Sequence, residues 1–297
     1  MKQLLERVKQ GDVLVGDGAM GTLLFQKGLE AGACPESINL TRPEVLEEIA
    51  ERYLGAGAEI LETNTFGGSP IKLSMSGLAE QAEEINRSAV RAVRKIAGNR
   101  AYVSGSCGPT GKLLKPYGDA DPEDLRESFR VQIGTLVEAG VDVICIETMT
   151  DLAEAKLALA GAREVSATIP IMATMTFDAT PRGFFTIMGV SVQAAASGLR
   201  EAGADIIGSN CGNGIENMIA IAKGFRSCCD APLIIQSNAG LPKTVGGTLE
   251  YDEMPEFMAD KSRELIDIGV SVIGGCCGTT PEHTRAIREL VDNTLPR

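Results

Sequence analysis

The chain has 297 residues, 44% hydrophobic and 23% charged, the balance of a soluble protein with a sizeable core. Its formal net charge of −12 at pH 7 repels phosphate backbones and anionic membranes, which excludes nucleic acid and lipid surfaces as partners. One histidine excludes a multi-histidine metal centre, and eight cysteines point to metal or catalytic roles ahead of a disulfide framework. The charged, amphipathic start MKQLLERVKQGD lacks a signal-peptide core, no run of about 18 apolar residues offers a membrane span, and the chain reads as cytoplasmic.

Short β-branched runs alternate with amphipathic stretches from one end to the other. Strands are predicted over 13–18, 59–66, 101–107, 141–148, 170–177, 204–211, 232–240 and 271–277. Helices are predicted between them, as over 43–57, 122–140 and 252–269. Gly57, Gly140, Gly203 and Gly269 stand where helix C-caps need a left-handed residue. Eight βα units with no linker or composition break predict an α/β fold, a single (β/α)8 TIM barrel over residues 1–297. A doubly wound open sheet is the alternative. The longer connections, 107–121, 178–189 and 240–252, all follow strands and so fall on the C-terminal face, where this fold keeps its sites.

The strand ends carry the chemistry. Gly16-Asp17-Gly18-Ala19-Met20-Gly21 formally satisfies GxGxxG, but no βαβ crossover follows it, which weakens a dinucleotide site. The same glycines can expose backbone N–H groups to a substrate carboxylate. Glu147 ends a strongly apolar strand and is a candidate partner for a substrate ammonium, a task Asp17 can share. Sulfur gives the strongest signal: Cys211 closes strand 6 and Cys276-Cys277 closes strand 8, and both strands neighbour strand 7 in a closed barrel. Adjacent residues on a strand face opposite ways, but the flanking Gly274, Gly275 and Gly278 allow both thiols to turn to one point. Three thiolates around Zn2+ leave a fourth position open, the pattern of a catalytic site. Buried thiols and a vicinal disulfide at 276–277 are the alternatives. Cys228-Cys229, Cys34, Cys107 and Cys145 read as packing or structural residues, and His283 as a surface residue at a helix start.

Together these motifs resemble the homocysteine S-methyltransferase family. The resemblance rests on Asp17-Gly18-Ala19-Met20-Gly21-Thr22, Thr63-Asn64-Thr65-Phe66-Gly67, Gly108-Pro109-Thr110-Gly111, Glu147-Thr148-Met149, Asn210-Cys211-Gly212, Asn238-Ala239-Gly240 and Gly274-Gly275-Cys276-Cys277-Gly278-Thr279-Thr280-Pro281. It implies a zinc barrel, one ion per chain held by Cys211, Cys276 and Cys277, that methylates homocysteine to methionine. It implies a substrate site formed by Asp17, Gly18, Ala19, Met20, Asn64, Glu147, Asn210 and Asn238. The chain departs from the family's pattern at Gly212-Asn213-Gly214 and at Ser237, both near the mouth.

The donor is expected by elimination. A betaine-type donor favours an aromatic cage, and the chain has no Trp and four Tyr. No cobalamin or folate module is expected within these 297 residues. A separate methylated corrinoid protein leads as donor and a small sulfonium compound follows. A thiol-sensing zinc barrel without turnover is the non-enzymatic alternative.

Overall fold

Along each predicted strand alternate side chains face in and out, and the inward set builds the inside of a barrel. The computed structural model describes residues 2–30, 32–245 and 248–294; Met1 and residues 295–297 of the expected unit lie outside the described residues. Each of the eight predicted runs contains a parallel strand: β1 (Leu14–Val15), β2 (Ile60–Glu62), β3 (Tyr102–Cys107), β4 (Val143–Met149), β5 (Ile171–Met175), β6 (Ile206–Asn210), β7 (Leu233–Ser237) and β8 (Val272–Gly275). They are ordered β1-β8-β7-β6-β5-β4-β3-β2. The ring closes through a bridge between Gly16 and Ile60, with Glu59 N–H donating to Val15 O at 2.8 Å. That closure is the TIM barrel, and it replaces the open-sheet alternative.

Helices cover the outside: α1 (Pro43–Gly55), α2 (Ala82–Ala97), α3 (Pro122–Ala139), α4 (Leu152–Val165), α5 (Val192–Glu201), α6 (Ile215–Cys228), α7 (Pro255–Ile268) and α8 (Pro281–Thr294). Their starts are written locally. The side chains of Asp121, Asp151 and Ser191 accept the N–H groups of Glu123, Ala153 and Ala194. Their stops are the predicted glycines, with φ of 98° at Gly57, 96° at Gly140, 98° at Gly203 and 84° at Gly269. Among the described residues no helix is long and apolar enough to cross a membrane.

The barrel interior changes character from bottom to top. Leu14, Ile60, Tyr102, Val143, Met172, Ile206, Ile234 and Val272 form one apolar cluster, closed below by Leu4 and Val8 of the helix Leu4–Lys9. Each such side chain contributes about 1.5–3 kcal/mol by leaving water. Two residues further along the strands the inward set becomes Glu62, Ser104, Thr174 and Gln236, all buried or nearly so. The apolar floor fixes the ring, and the polar layer above it opens to the mouth. Two of the three long connections carry antiparallel hairpins over that mouth, Asp178–Thr180 with Gly183–Phe185 and Lys243–Val245 with Thr248–Glu250.

Candidate metal centre at the barrel mouth

Cys211 follows the inward-facing Asn210, so on a regular strand it would point outward. Its backbone instead takes the left-handed conformation, φ 59°, which only a few per cent of non-glycine residues adopt. Cys276 and Cys277 leave β8 in a reverse turn closed by Thr279 N–H to Cys276 O at 3.1 Å, with Gly278 at φ 81°. Strand alternation therefore does not apply to the pair. The three sulfurs lie within 4.8 Å of one another, with Cys211 Sγ 3.7 Å from Cys277 Sγ. Sulfurs bound tetrahedrally at about 2.3 Å stand about 3.8 Å apart, so the spacing fits a zinc-sized soft cation. Hydrogen bonds from Cys276 and Cys277 pull the Cys211 thiol down to about 3, and sharing that charge pushes Cys277 up to about 11 and Cys276 up as well. The trio thus favours one shared negative charge, and metal binding would take the thiol protons that remain.

Glu147 is positioned from two sides. The Ser106 hydroxyl donates to one carboxylate oxygen and Asn210 Nδ2 to the other at 3.0 Å. Asn210 also donates to Thr148 Oγ1 at 2.8 Å, and its Oδ1 accepts Thr148 N–H at 2.8 Å and Thr174 Oγ1 at 2.7 Å. Thr148, β-branched yet at φ 59°, sits at the register irregularity of β4 against β5. Such a conformation costs energy and persists where the surroundings impose it; here Asn210 supplies two of the imposing contacts. Burial, then the neighbouring Glu62 carboxyl, pushes Glu147 well above the usual carboxylate range. Burial and Glu62 do the same to Asp17, and burial also raises Glu62.

A cavity of about 260 Å³ opens beside the sulfurs. Of the expected substrate residues, Gly18, Ala19, Met20, Asn64 and Glu147 line it, as do Cys211, Cys276 and Cys277. The first N–H groups of the helix Met20–Gln26 have no partner within the helix, whereas Ala19 N–H is already taken by Thr279 Oγ1 at 3.2 Å. Asn64 ties the preceding connection to the barrel through Pro35 O at 2.9 Å and Asn39 Oδ1 at 2.8 Å. Asp17, Asn210 and Asn238 stand behind the lining: Asp17 accepts Glu62 N–H at 2.8 Å, and Asn238 hydrogen-bonds Cys211. Glu62 and Gln236 line the cavity without having been singled out in the sequence. Their signal was available, since Glu62 shares its inward parity with Asn64 and Gln236 shares it with Asn238.

His283 departs from expectation. It is not a surface residue but 6% exposed, its Nε2 2.9 Å from Glu253 O and its Nδ1 accepting Thr280 N–H at 3.1 Å. The connection after β7 descends onto α8 and covers the ring, and burial lowers its pKa. Cys107 and Cys145 are fully buried, and Cys228 ends α6 on the opposite face.

A family model for homocysteine S-methyltransferase matches residues 14–291. A methionine synthase of Mycobacterium leprae (strain TN) is 33% identical over 317 aligned positions, covering 99% of this chain and 26% of that protein. A methionine synthase of Mycobacterium tuberculosis is 33% identical over 300 positions, covering 95% of this chain and 25% of that protein. The chain thus spans about a quarter of the length of the curated relatives it matches. Among solved structures, the metallated form of the Escherichia coli homocysteine methyltransferase MmuM superposes with a TM-score of 0.80 at 23% identity, covering 96% of this chain and 99% of that one. At that identity the likeness is one of fold.

Proposed function

The chain belongs to the homocysteine S-methyltransferase family, and from that premise we propose that it transfers a methyl group to the sulfur of homocysteine, forming methionine. The observation that carries this reading is the trio Cys211, Cys276 and Cys277, gathered within 4.8 Å at the edge of the mouth cavity. These three would hold zinc. Zinc there lowers the pKa of an added alkyl thiol and keeps it nucleophilic at neutral pH. The chain's own groups do the rest. Glu147, fixed by Ser106 and Asn210, presents a carboxylate to the substrate ammonium. Gly18, Ala19 and Met20 line the same cavity, where backbone N–H groups at the start of the helix Met20–Gln26 would take the substrate carboxylate. The sulfur lone pair forms the new bond to carbon, and the donor departs with the electron pair of its own bond to that carbon. With the thiol proton already lost, no side-chain base is needed.

The donor is a methyl group borne by a separate corrinoid protein in our reading, with a small sulfonium compound second. Large apolar side chains stand exposed on loops of the same face, Tyr117 at 68% and Ile187 at 77% among them, which suits a protein-sized donor. The test is methionine formation from L-homocysteine by zinc-loaded protein, with methylcobalamin or S-methylmethionine supplied, beside Cys211→Ser. Methionine from methylcobalamin, absent in the variant, is expected. Product from S-methylmethionine alone would overturn the corrinoid reading. Homocysteine bound without product from either donor would overturn the transferase.

A further inference from the structure

The three sulfurs come from two separate arms, Cys211 after β6 and Cys276-Cys277 after β8, and β7 runs between those strands. One residue of the connection after β7, Glu253, bonds to all three strand ends. Its N–H donates to Ala239 O at 3.0 Å, which holds it to the end of β7. Its carboxylate accepts the Ile215 N–H at 2.9 Å, at the start of α6 and just beyond Cys211. Its carbonyl accepts His283 Nε2 at 2.9 Å, and His283 Nδ1 accepts the Thr280 N–H at 3.1 Å, at the foot of the Cys276-Cys277 turn. Two backbone bonds complete the stitching, Asn238 N–H to Asn213 O and Ala239 N–H to Cys277 O, both at 3.0 Å.

The chain makes room for this residue. Gly214 has φ −75° and ψ 177°, a backbone that any residue adopts, so its missing side chain serves space and not conformation. A Cβ there would run into the Glu253 carboxyl. Cys211 needs outside support, because its left-handed φ of 59° persists only where the surroundings impose it.

We propose that Glu253 is a positioning residue for the metal site, fixing the Cys211 arm against the Cys276-Cys277 arm through the connection after β7. This deepens the proposed function and rests on its reading that the trio holds zinc. The carboxylate sets the start of α6, the carbonyl sets the start of α8 through His283, and the sulfurs are thereby spaced before the ion arrives. A carboxylate at a helix start also stabilises that helix, but a cap alone would move melting and leave metal affinity untouched.

The experiment measures zinc affinity of the reduced full chain by competition with a chromophoric chelator. Glu253→Ala should bind zinc about 10- to 100-fold more weakly, the usual loss when a residue that holds metal ligands is removed. Its cobalt-substituted form should show a weaker thiolate-to-metal charge-transfer band, while the metal-free variant still melts cooperatively. Glu253→Gln keeps an oxygen for the Ile215 N–H and should return affinity to within a few-fold of wild type. Gly214→Ala should weaken zinc binding in the wild-type background and add little to Glu253→Ala, where the carboxyl it displaces is absent. Should Glu253→Ala not fold, weakened binding in Gly214→Ala beside near-normal binding in Glu253→Gln carries the same conclusion, and Gly214→Ala at wild-type affinity refutes it. Wild-type zinc affinity in Glu253→Ala, or a Gly214→Ala penalty as large without the Glu253 carboxyl as with it, would overturn the inference and leave the proposed function standing. Wild type that takes up no zinc would overturn both.

Discussion

Replacing Asn210 with alanine tests whether one side chain holds the mouth together. The Asn210 side chain makes four hydrogen bonds at 2.7–3.0 Å to Glu147, Thr148 and Thr174, and a longer one of 4.0 Å to Cys276 Sγ. The variant orphans the Thr148 N–H and the buried Thr174 hydroxyl and frees the left-handed Thr148 to relax. A buried polar group left unsatisfied costs about 1–3 kcal/mol, so two such groups predict a loss of roughly 2–6 kcal/mol. For a chain of this size the melting temperature should fall by on the order of 10 °C. Urea unfolding followed by circular dichroism measures it. Asn210→Asp keeps the acceptors but sets a second carboxyl against Glu147, so it should be destabilised more at pH 7 than at pH 5. A loss in Asn210→Ala below about 1 kcal/mol would refute the reasoning and mean that Thr148 keeps its conformation without Asn210.

Three further outcomes follow from the geometry. Zinc binding at pH 7 should release fewer than three protons, because the hydrogen bonds within the trio lower the Cys211 thiol while raising Cys276 and Cys277; calorimetry in buffers of differing ionisation enthalpy counts them, and release of a full three would contradict the shared charge. Gly278→Ala should abolish metal binding in folded protein, since a Cβ there meets the Tyr251 ring and the residue sits at φ 81°; full zinc content in the variant would show that the turn tolerates both. His283 is neutral in the fold, its pKa lowered by burial. The unfolded chain takes up its proton as pH falls through about 6.5, so stability should drop below that point and go on dropping until the lower folded pKa is reached. Denaturation midpoints across pH 5–8, flatter in His283→Asn than in wild type, check it.

The barrel was legible because local and global signals agree. Apolar runs of strand length alternate with helices whose stops are glycines, and the structure gives those glycines the positive φ that the C-cap role requires. The cysteine trio was legible for a different reason: in a closed ring, strands 6 and 8 flank strand 7 whatever the side chains are. What escaped the sequence depends on tertiary contact. Nothing in Thr148 or Cys211 announces a left-handed backbone, which Asn210 and the sulfur cluster impose from neighbouring strands. Glu62 was passed over because Thr63-Asn64-Thr65 beside it reads as turn chemistry, although its parity faces the mouth. His283 looked exposed because the segment that buries it, around Glu253, is far away in the chain.

The central claim is that three thiols hold a metal whose remaining position accepts the substrate sulfur. X-ray absorption at the zinc edge, on zinc-loaded protein with and without L-homocysteine, tests it most directly. The account predicts about three sulfur neighbours at roughly 2.3 Å, rising to four with homocysteine, and loss of the signal in Cys211→Ser. A sulfur count that homocysteine does not raise, or folded and reduced protein that takes up no zinc, would contradict it.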